Sequence, residues 1–194
     1  MVTHEELVSL FGSLWVETMP PEVAERYFAN AEDRTLLTKV GMPQSLLGLL
    51  YFGNIRTDLP QTLSDILDTG APQQFSPEIR EDIVMAAGMG GFACMSQADY
   101  RIYWYEPGDS DRKFALVNTT LERFLETAYQ IRLKFRNLDL LYSADEDESR
   151  EEIGEELRRL TGEIRGIDPP SFDSVAMFWQ HVVLFALETL ASAE

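Results

Sequence analysis

Apolar residues recur at helical spacing through the first part of the chain, and proline or glycine separates the repeats. The segment THEELVSLFGSLW starts with Thr3, and Glu6 follows three residues later, which is the arrangement of a capping box. Its predicted apolar stripe comprises Leu7, Leu10, Phe11 and Leu14. Pro21 suits the first turn of a second helix, and RTLLTKVGMP is typical of a short helix that stops at Gly41. LPQTLSDILDTG predicts another short helical or turn segment that ends at Gly70. We therefore expect a helical N-terminal part.

The pattern changes to short β-compatible runs in the middle of the chain, at residues 82–88, 91–96, 100–106 and 113–118. The links between them are short, so neighbouring strands should be antiparallel and form a meander. In the third run, Ile102 and Trp104 should face one way, and Tyr103 and Tyr105 the other. The tyrosine face is either covered by packing or left as an aromatic surface for a partner; aromatic residues more often belong to cores.

The stretch VNTTLERFLE at 117–126 joins the last predicted strand to an amphipathic pattern. Thr119 and Glu122 have the spacing of a second capping box, and the helix should continue to about residue 136. No local rule requires Asn118 at the strand end. The pattern therefore predicts helices in the N-terminal part, an antiparallel meander in the middle and a long C-terminal helix. The length of 194 residues fits a single domain over 1–194.

Composition sets limits on location and covalent chemistry. No apolar stretch approaches membrane-spanning length, and the acidic N-terminus lacks the basic start of a secretory signal. We therefore expect a cytoplasmic protein without a membrane partner. Cys94 is the single cysteine, which excludes an internal disulfide.

The net charge of −17 disfavours direct binding of nucleic acid, because phosphates would be repelled. It would attract a basic partner and speed their encounter at low salt. Solubility alone is the alternative explanation for an acidic surface.

Candidate catalytic groups are few. His4 and His181 lie near opposite ends of the chain, and neither belongs to a nucleophile or metal-binding motif. Cys94 lies in an apolar run typical of a buried thiol, and the glycines at 88–91 precede a strand, so a turn fits them better than a phosphate cradle. We therefore predict a non-enzyme without a cofactor or metal.

The acidic segment DEDESREEIGEE at 145–156 resembles a calcium loop only in part. Asp145, Asp147, Ser149 and Glu156 fall at ligand positions, but Arg150 stands where the sharp turn requires glycine. We predict instead an acidic loop near 143–152 leading into a helix. The predicted inner face of that helix comprises Ile153, Leu157, Leu160 and Ile164. The acidic loop is either a solvated segment or part of a partner surface.

The last helix combines polar and apolar residues on one side. Gln180, His181 and Glu188 share that side with Met177 and Leu184. The two apolar residues could contact a partner or a second copy of the chain in a weak homodimer, or they could be covered by the N-terminal helix.

Several of these motifs together resemble one family, the fourth subgroup of the SUKH immunity superfamily. The first is Val-Asn-Thr-Thr-Leu at 117–121 followed by Phe124, and the second is RTLLTKVGMP at 34–43. The third is the closing segment FDSVAMFWQHVVLFAL with its Phe-Trp pair, which includes Trp179. The order of a Gly-containing, a Cys-containing and an aromatic strand is also similar. QADYR at 97–101 departs from the pattern, because it lacks the glycine expected in that turn.

The resemblance implies an α+β fold, with a central, mostly antiparallel sheet flanked by helices and a long C-terminal helix. It also implies an immunity protein that binds and neutralises a cognate bacterial polymorphic toxin, often a nuclease or deaminase, by occlusion. The alternative is a regulatory module on the same scaffold that binds a peptide or small ligand. Asn118, Thr119, Glu122 and Trp179 would be residues of the structural motif. Candidate partner contacts are Tyr103, Tyr105, Asp109, Asp111, Asp145, Glu146, Asp147 and Glu148.

Overall fold

The computed structural model describes residues 1–52, 60–67, 77–106, 115–141, 146–173 and 178–191. Its helices are α1 His4–Phe11, α2 Pro21–Tyr27, α3 Ala31–Thr35, α4 Leu63–Leu67, α5 Pro77–Arg80, α6 Leu121–Leu141, α7 Glu146–Ile167 and α8 Phe178–Ala191. Its strands are β1 Val16–Glu17, β2 Met42–Pro43, β3 Ser45–Leu46, β4 Leu50–Phe52, β5 Ile83–Gly88, β6 Gly91–Met95, β7 Ile102–Tyr105 and β8 Ala115–Asn118.

The central sheet has six strands in the order β3-β4-β5-β6-β7-β8, and every neighbouring pair is antiparallel. This order follows the chain, so the sheet is a meander. A separate antiparallel pair joins β1 to β2. The predicted α+β fold, with its antiparallel sheet, flanking helices and long C-terminal helical region, is confirmed.

Helix α1 begins with the predicted capping box. Glu6 N donates to Thr3 Oγ1 at 3.3 Å, and Thr3 N donates to Glu6 Oε2 at 2.8 Å. The helix ends at Phe11, because Gly12 takes a φ of 92° and a 3₁₀ turn follows over Ser13–Trp15. Leu14 therefore leaves the helix and is 83% exposed, so its predicted place in the apolar stripe is wrong.

The turn between β6 and β7 forms without glycine. Tyr100 takes a φ of 61°, and its N donates to the carbonyl of Ser96 at 3.0 Å. Ser96 N in turn donates to the carbonyl of Arg101 at 2.8 Å. Tyr100 thus occupies the left-handed conformation that usually favours glycine. The unusual sequence QADYR leaves the hairpin intact but excludes Tyr100 from strand β7.

The main core lies on the face of the sheet that carries Ile102 and Trp104. Helices α1, α6, α7 and α8 contribute buried side chains to this core. A smaller cluster on the opposite face joins Leu63 of α4 to Val84, Cys94 and Tyr105. The sheet is therefore covered on one face and partly covered on the other.

The predicted acidic loop near 143–152 is corrected by the start of α7 at Glu146, because residues 146–152 are helical. Residues 142–145 and the side chains of 146–154 lie outside the described part. The inner face of α7 agrees with the prediction at Leu160 and Ile164, which are 0% and 1% exposed. Glutamate has good helix propensity, and acidic side chains are favourable near a helix N-terminus, so this acidic run is compatible with the first turns of α7.

Candidate functional site

Asn118 is fully buried at the end of β8, and its side chain connects three elements. Its Nδ2 donates to Asp168 Oδ2 at 3.0 Å and lies 3.5 Å from Thr127 Oγ1 on α6. Its Oδ1 accepts a hydrogen bond from Trp179 Nε1 of α8 at 2.9 Å. A side-chain amide carries both a donor and an acceptor, so it can make these contacts at the same time. Asn118 therefore fastens the strand end to α6, α8 and the α7–α8 connection.

Thr119 also binds Asp168, which corrects the predicted capping box with Glu122. Thr119 N donates to Asp168 Oδ2 at 2.7 Å, and Thr119 Oγ1 donates to Asp168 Oδ1 at 2.8 Å. The cap of α6 is Thr120, whose Oγ1 accepts from Arg123 N at 3.2 Å. The cap thus lies one residue later than predicted, and Thr119 is free to join the buried network.

Trp179 supplies the apolar side of the same junction. Its ring centroid lies 5.5 Å from that of Phe124 and 5.1 Å from that of Phe178, in tilted and edge-on arrangements. Its indole N–H is shared between Asn118 Oδ1 and the Val117 carbonyl, the latter at 3.2 Å. The signature residues Asn118, Phe124 and Trp179 are therefore an interior junction that holds α8 on the sheet, and they offer no exposed contact.

Asp168 is the member of this network that the sequence did not indicate. It is 1% exposed and precedes the 3₁₀ turn Pro169–Phe172. In the sequence, an aspartate before two prolines is typical of an ordinary turn. Its three donors come from residues about fifty positions earlier in the chain, so no local pattern could reveal it.

The second face of the sheet contains a buried acid–phenol pair. Tyr105 is 4% exposed, and its hydroxyl donates to Asp82 Oδ2 at 2.6 Å. Gln97 N donates to Asp82 Oδ1 at 3.1 Å. Burial raises the pKa of Asp82, while the hydrogen bonds from Tyr105 and Gln97 oppose that shift. Burial and the nearby Asp82 raise the pKa of the Cys94 thiol well above its ordinary value, so this thiol is an inert core group.

The two tyrosines predicted as partner contacts therefore differ. Tyr105 belongs to the interior, so its predicted role as an exposed contact is wrong. Tyr103 is half-buried at the rim of the same cluster, and its hydroxyl donates to Asp99 Oδ2 at 2.8 Å. Burial and the Asp99 carboxylate raise the pKa of Tyr103. Of this pair, Tyr103 alone can still meet a partner.

The other predicted contact residues are only partly described. Asp109, Asp111, Asp145 and Met177 lie outside the described residues, as do the side chains of Glu146, Asp147 and Glu148. Leu184 is 45% exposed on α8, and its neighbour Phe185, which the sequence analysis missed, is 47% exposed. Leu184 is thus not covered by the N-terminal helix.

Other exposed apolar side chains stand apart from the predicted set. Trp15 is 56% exposed in the turn after α1, and Tyr51 is 60% exposed on β4. Tyr51 opposes Ser45 and Ala87 on neighbouring strands. Large exposed aromatic side chains often mark interfaces. Trp15 and Tyr51 are single residues outside any helical or strand periodicity, so the sequence pattern did not indicate them.

Catalytic and metal chemistry find little support in the described ranges. His4 Nδ1 donates to the Val40 carbonyl at 2.8 Å, and His181 is exposed on α8. Within those ranges, no group of three His, Cys, Asp or Glu residues is placed to hold a metal ion. Nor does any helix there combine the length and apolar character needed to cross a membrane.

Comparison with known proteins gives one family. The SUKH-4 immunity protein family matches residues 2–185, which is nearly the whole chain. The chain has no match among curated proteins and none among solved structures. The match includes every residue of the Asn118 junction, from Val117 to Trp179. The chain therefore belongs to the SUKH-4 immunity protein family, and its general role is that of an immunity protein.

Proposed function

We propose that this immunity protein neutralises a cognate polymorphic toxin by binding it and blocking access to its active site, without catalysing a reaction itself. The family match over residues 2–185 is the observation that carries the proposal. Occlusion needs a rigid surface and no reacting groups. The buried hydrogen bonds of Asn118 and Asp82 support such rigidity, because each of these residues joins separate parts of the fold.

The proposed target is a basic toxin domain, a nuclease or a deaminase that acts on nucleic acid. The net charge of −17 supports this choice, because a groove that binds phosphates is positively charged. An acidic protein can compete for such a groove and is steered towards it at low salt. Tyr103 with Asp99, and the acidic residues Asp109, Asp111 and 145–148, are the proposed contacts.

The regulatory alternative has less support. Its favouring feature was the aromatic strand β7, but Trp104 and Tyr105 are 9% and 4% exposed and pack in the two cores. A ligand could reach Tyr103 only at the rim. The toxin-binding proposal is therefore the one we retain.

The proposal is tested with a toxin encoded next to the gene for this chain, which is expressed with and without this chain. We expect growth to be restored by this chain and not by an immunity protein paired with an unrelated toxin. The purified pair should form a stoichiometric complex in which hydrolysis or deamination of nucleic acid stops. Persistent lethality with both proteins folded and expressed would contradict the proposal for that toxin.

A second copy of the chain is a further proposed partner, through the α8 surface that contains Leu184. Sedimentation velocity over a range of protein concentrations tests this weak homodimer. We expect concentration-dependent association for the wild type and none for Leu184→Glu, because a charge in an apolar contact is costly. A monomer at all concentrations would contradict the homodimer.

A further inference from the structure

A groove with a volume of about 440 Å³ lies between α1 and α6. Its α1 wall contains Glu5, Glu6, Ser9 and Leu10, and its α6 wall contains Tyr129, Leu133 and Arg136. The volume is within the range of ligand-binding clefts. The acidic side chains stand on the α1 wall, and the more buried lining residues Leu10, Tyr129 and Leu133 form an apolar floor.

The α1 wall presents two exposed carboxylates. Glu6 is held in place by Thr3, since Oε2 accepts from both Thr3 N and Thr3 Oγ1 at 2.8 Å. These two hydrogen bonds lower the pKa of Glu6, so the side chain stays negative at physiological pH. Glu5 makes no salt bridge with any residue that the structure describes. Its charge is therefore available to an incoming cation.

The floor suits the stem of a long basic side chain. Leu10 is 9% exposed, and Tyr129 and Leu133 are half-buried. Arginine and lysine bury their methylene groups on apolar surface while the charged end stays in a polar setting. The Tyr129 ring can also attract a cation over its face. An acidic wall next to an apolar floor thus matches the two halves of such a side chain.

We propose that this groove binds an arginine-bearing segment of the toxin, with the guanidinium beside Glu5 and Glu6 and its stem on Leu10 and Leu133. The exposed Arg136 lines the same groove, and we expect it to donate to backbone carbonyls of that segment. Arginine fits better than lysine because its planar guanidinium can pair with a carboxylate through two hydrogen bonds and stack on an aromatic ring. This inference rests on the proposed function and adds a further toxin contact to those proposed above.

The test fills the groove without altering its charge. Ser9 is exposed and lines the groove, so Ser9→Trp places an indole in the space meant for the toxin side chain. Gly162→Trp is the matched control, because Gly162 is exposed on α7 and a Cβ there would meet nothing within 4 Å. Glu5→Gln removes a charge and leaves the shape. Thermal unfolding of each variant checks that the fold is kept.

Calorimetric titration with the toxin domain encoded by the neighbouring gene gives the readout. We expect Ser9→Trp to weaken binding at least about tenfold, and Glu5→Gln about threefold with a smaller dependence on salt. Gly162→Trp should bind like the wild type. If Ser9→Trp destabilises the fold, the Glu5→Gln result decides alone.

The outcomes separate this inference from the proposed function. If the wild type binds the toxin and both groove variants bind equally well, the groove proposal is overturned while the immunity role stands. If the wild type does not bind, both fail. If Ser9→Trp abolishes self-association in sedimentation and leaves toxin affinity unchanged, the groove is an interface between two copies and the proposal is wrong.

Discussion

The side-chain amide of Asn118 donates to the carboxylate of Asp168 at 3.0 Å, and both residues are buried. Asp168 receives all three of its side-chain hydrogen bonds in the described structure from Asn118 and Thr119. A buried carboxylate requires such donors, because an unsatisfied charge away from water is costly. The strand end and the α7–α8 connection therefore depend on each other.

Asn118→Ala should lower the free energy of unfolding by roughly 3 kcal/mol, because it leaves Trp179 with a weaker acceptor and removes one donor from Asp168. Urea unfolding followed by tryptophan fluorescence measures the change. We expect toxin affinity of the folded fraction to stay unchanged, since Asn118 is fully buried. A variant that stays stable but loses affinity would show that this junction shapes the binding surface directly.

Thr119→Val and Thr120→Ala should distinguish the stability that comes from the hydrogen bonds to Asp168 from the stability that comes from the cap of α6. Thr119→Val removes the hydroxyl that donates to Asp168, and we expect a loss of roughly 2 kcal/mol because the acceptor is charged. Thr120→Ala removes the cap of α6 and should cost about 1 kcal/mol. Chemical denaturation of both variants gives the comparison. A larger loss at Thr120 would restore the cap as the main role of this stretch.

Local patterns predicted the parts of the fold that depend on neighbours in sequence. The capping box at Thr3 and Glu6, and the short links between β5, β6 and β7, involve contacts within a few residues. The role of Asn118 depends on Asp168 and Trp179, which lie 50 and 61 residues away. Hydrophobic periodicity carries no information on such polar partners. The sequence therefore showed the Val-Asn-Thr-Thr-Leu motif but not the hydrogen bonds that Asn118 makes in the fold.

The candidate contact surface was harder to predict for a related reason. The alternation along β7 correctly placed Tyr103 and Tyr105 on one face, but it could not show that α4 covers one end of that face. Tyr105 packs in the same buried cluster as Leu63, which is 42 positions earlier in the chain. Exposed apolar residues such as Trp15 do not recur at helical or strand spacing, because a side chain in solvent has no packing partner that would require such a spacing.

Tyr105→Phe should destabilise the protein by roughly 2 kcal/mol, since Asp82 keeps Gln97 N but loses the phenol as a donor. Tyr103→Phe is the matched variant at the rim, where water can replace the tyrosine, and it should cost less than about 1 kcal/mol. Thermal unfolding of the two variants provides the test. Equal losses would contradict the interior assignment of Tyr105 and the rim assignment of Tyr103.

Asp33 should make stability depend on pH. It is 5% exposed in α3, and burial raises its pKa from the ordinary 3.8 to about 6, with Glu32 adding to the shift and a hydrogen bond from Asn30 opposing it. The folded state therefore holds a proton that the unfolded state releases between these two values. The protonated carboxyl of Asp33 makes its full contribution to the free energy of unfolding below pH 3.8. That contribution is lost as pH rises to about 6.

Asp33→Asn should remove that pH dependence. Near neutral pH the variant should be more stable than the wild type by roughly 3 kcal/mol, because no buried charge has to form. Below the ordinary carboxyl pKa the two proteins should be about equally stable. Urea unfolding at a series of pH values gives the difference curve, and Glu32→Gln, at an exposed neighbour, serves as the control for charge alone. A variant that is less stable near neutral pH would mean that the Asp33 carboxylate makes a required interaction in the folded state.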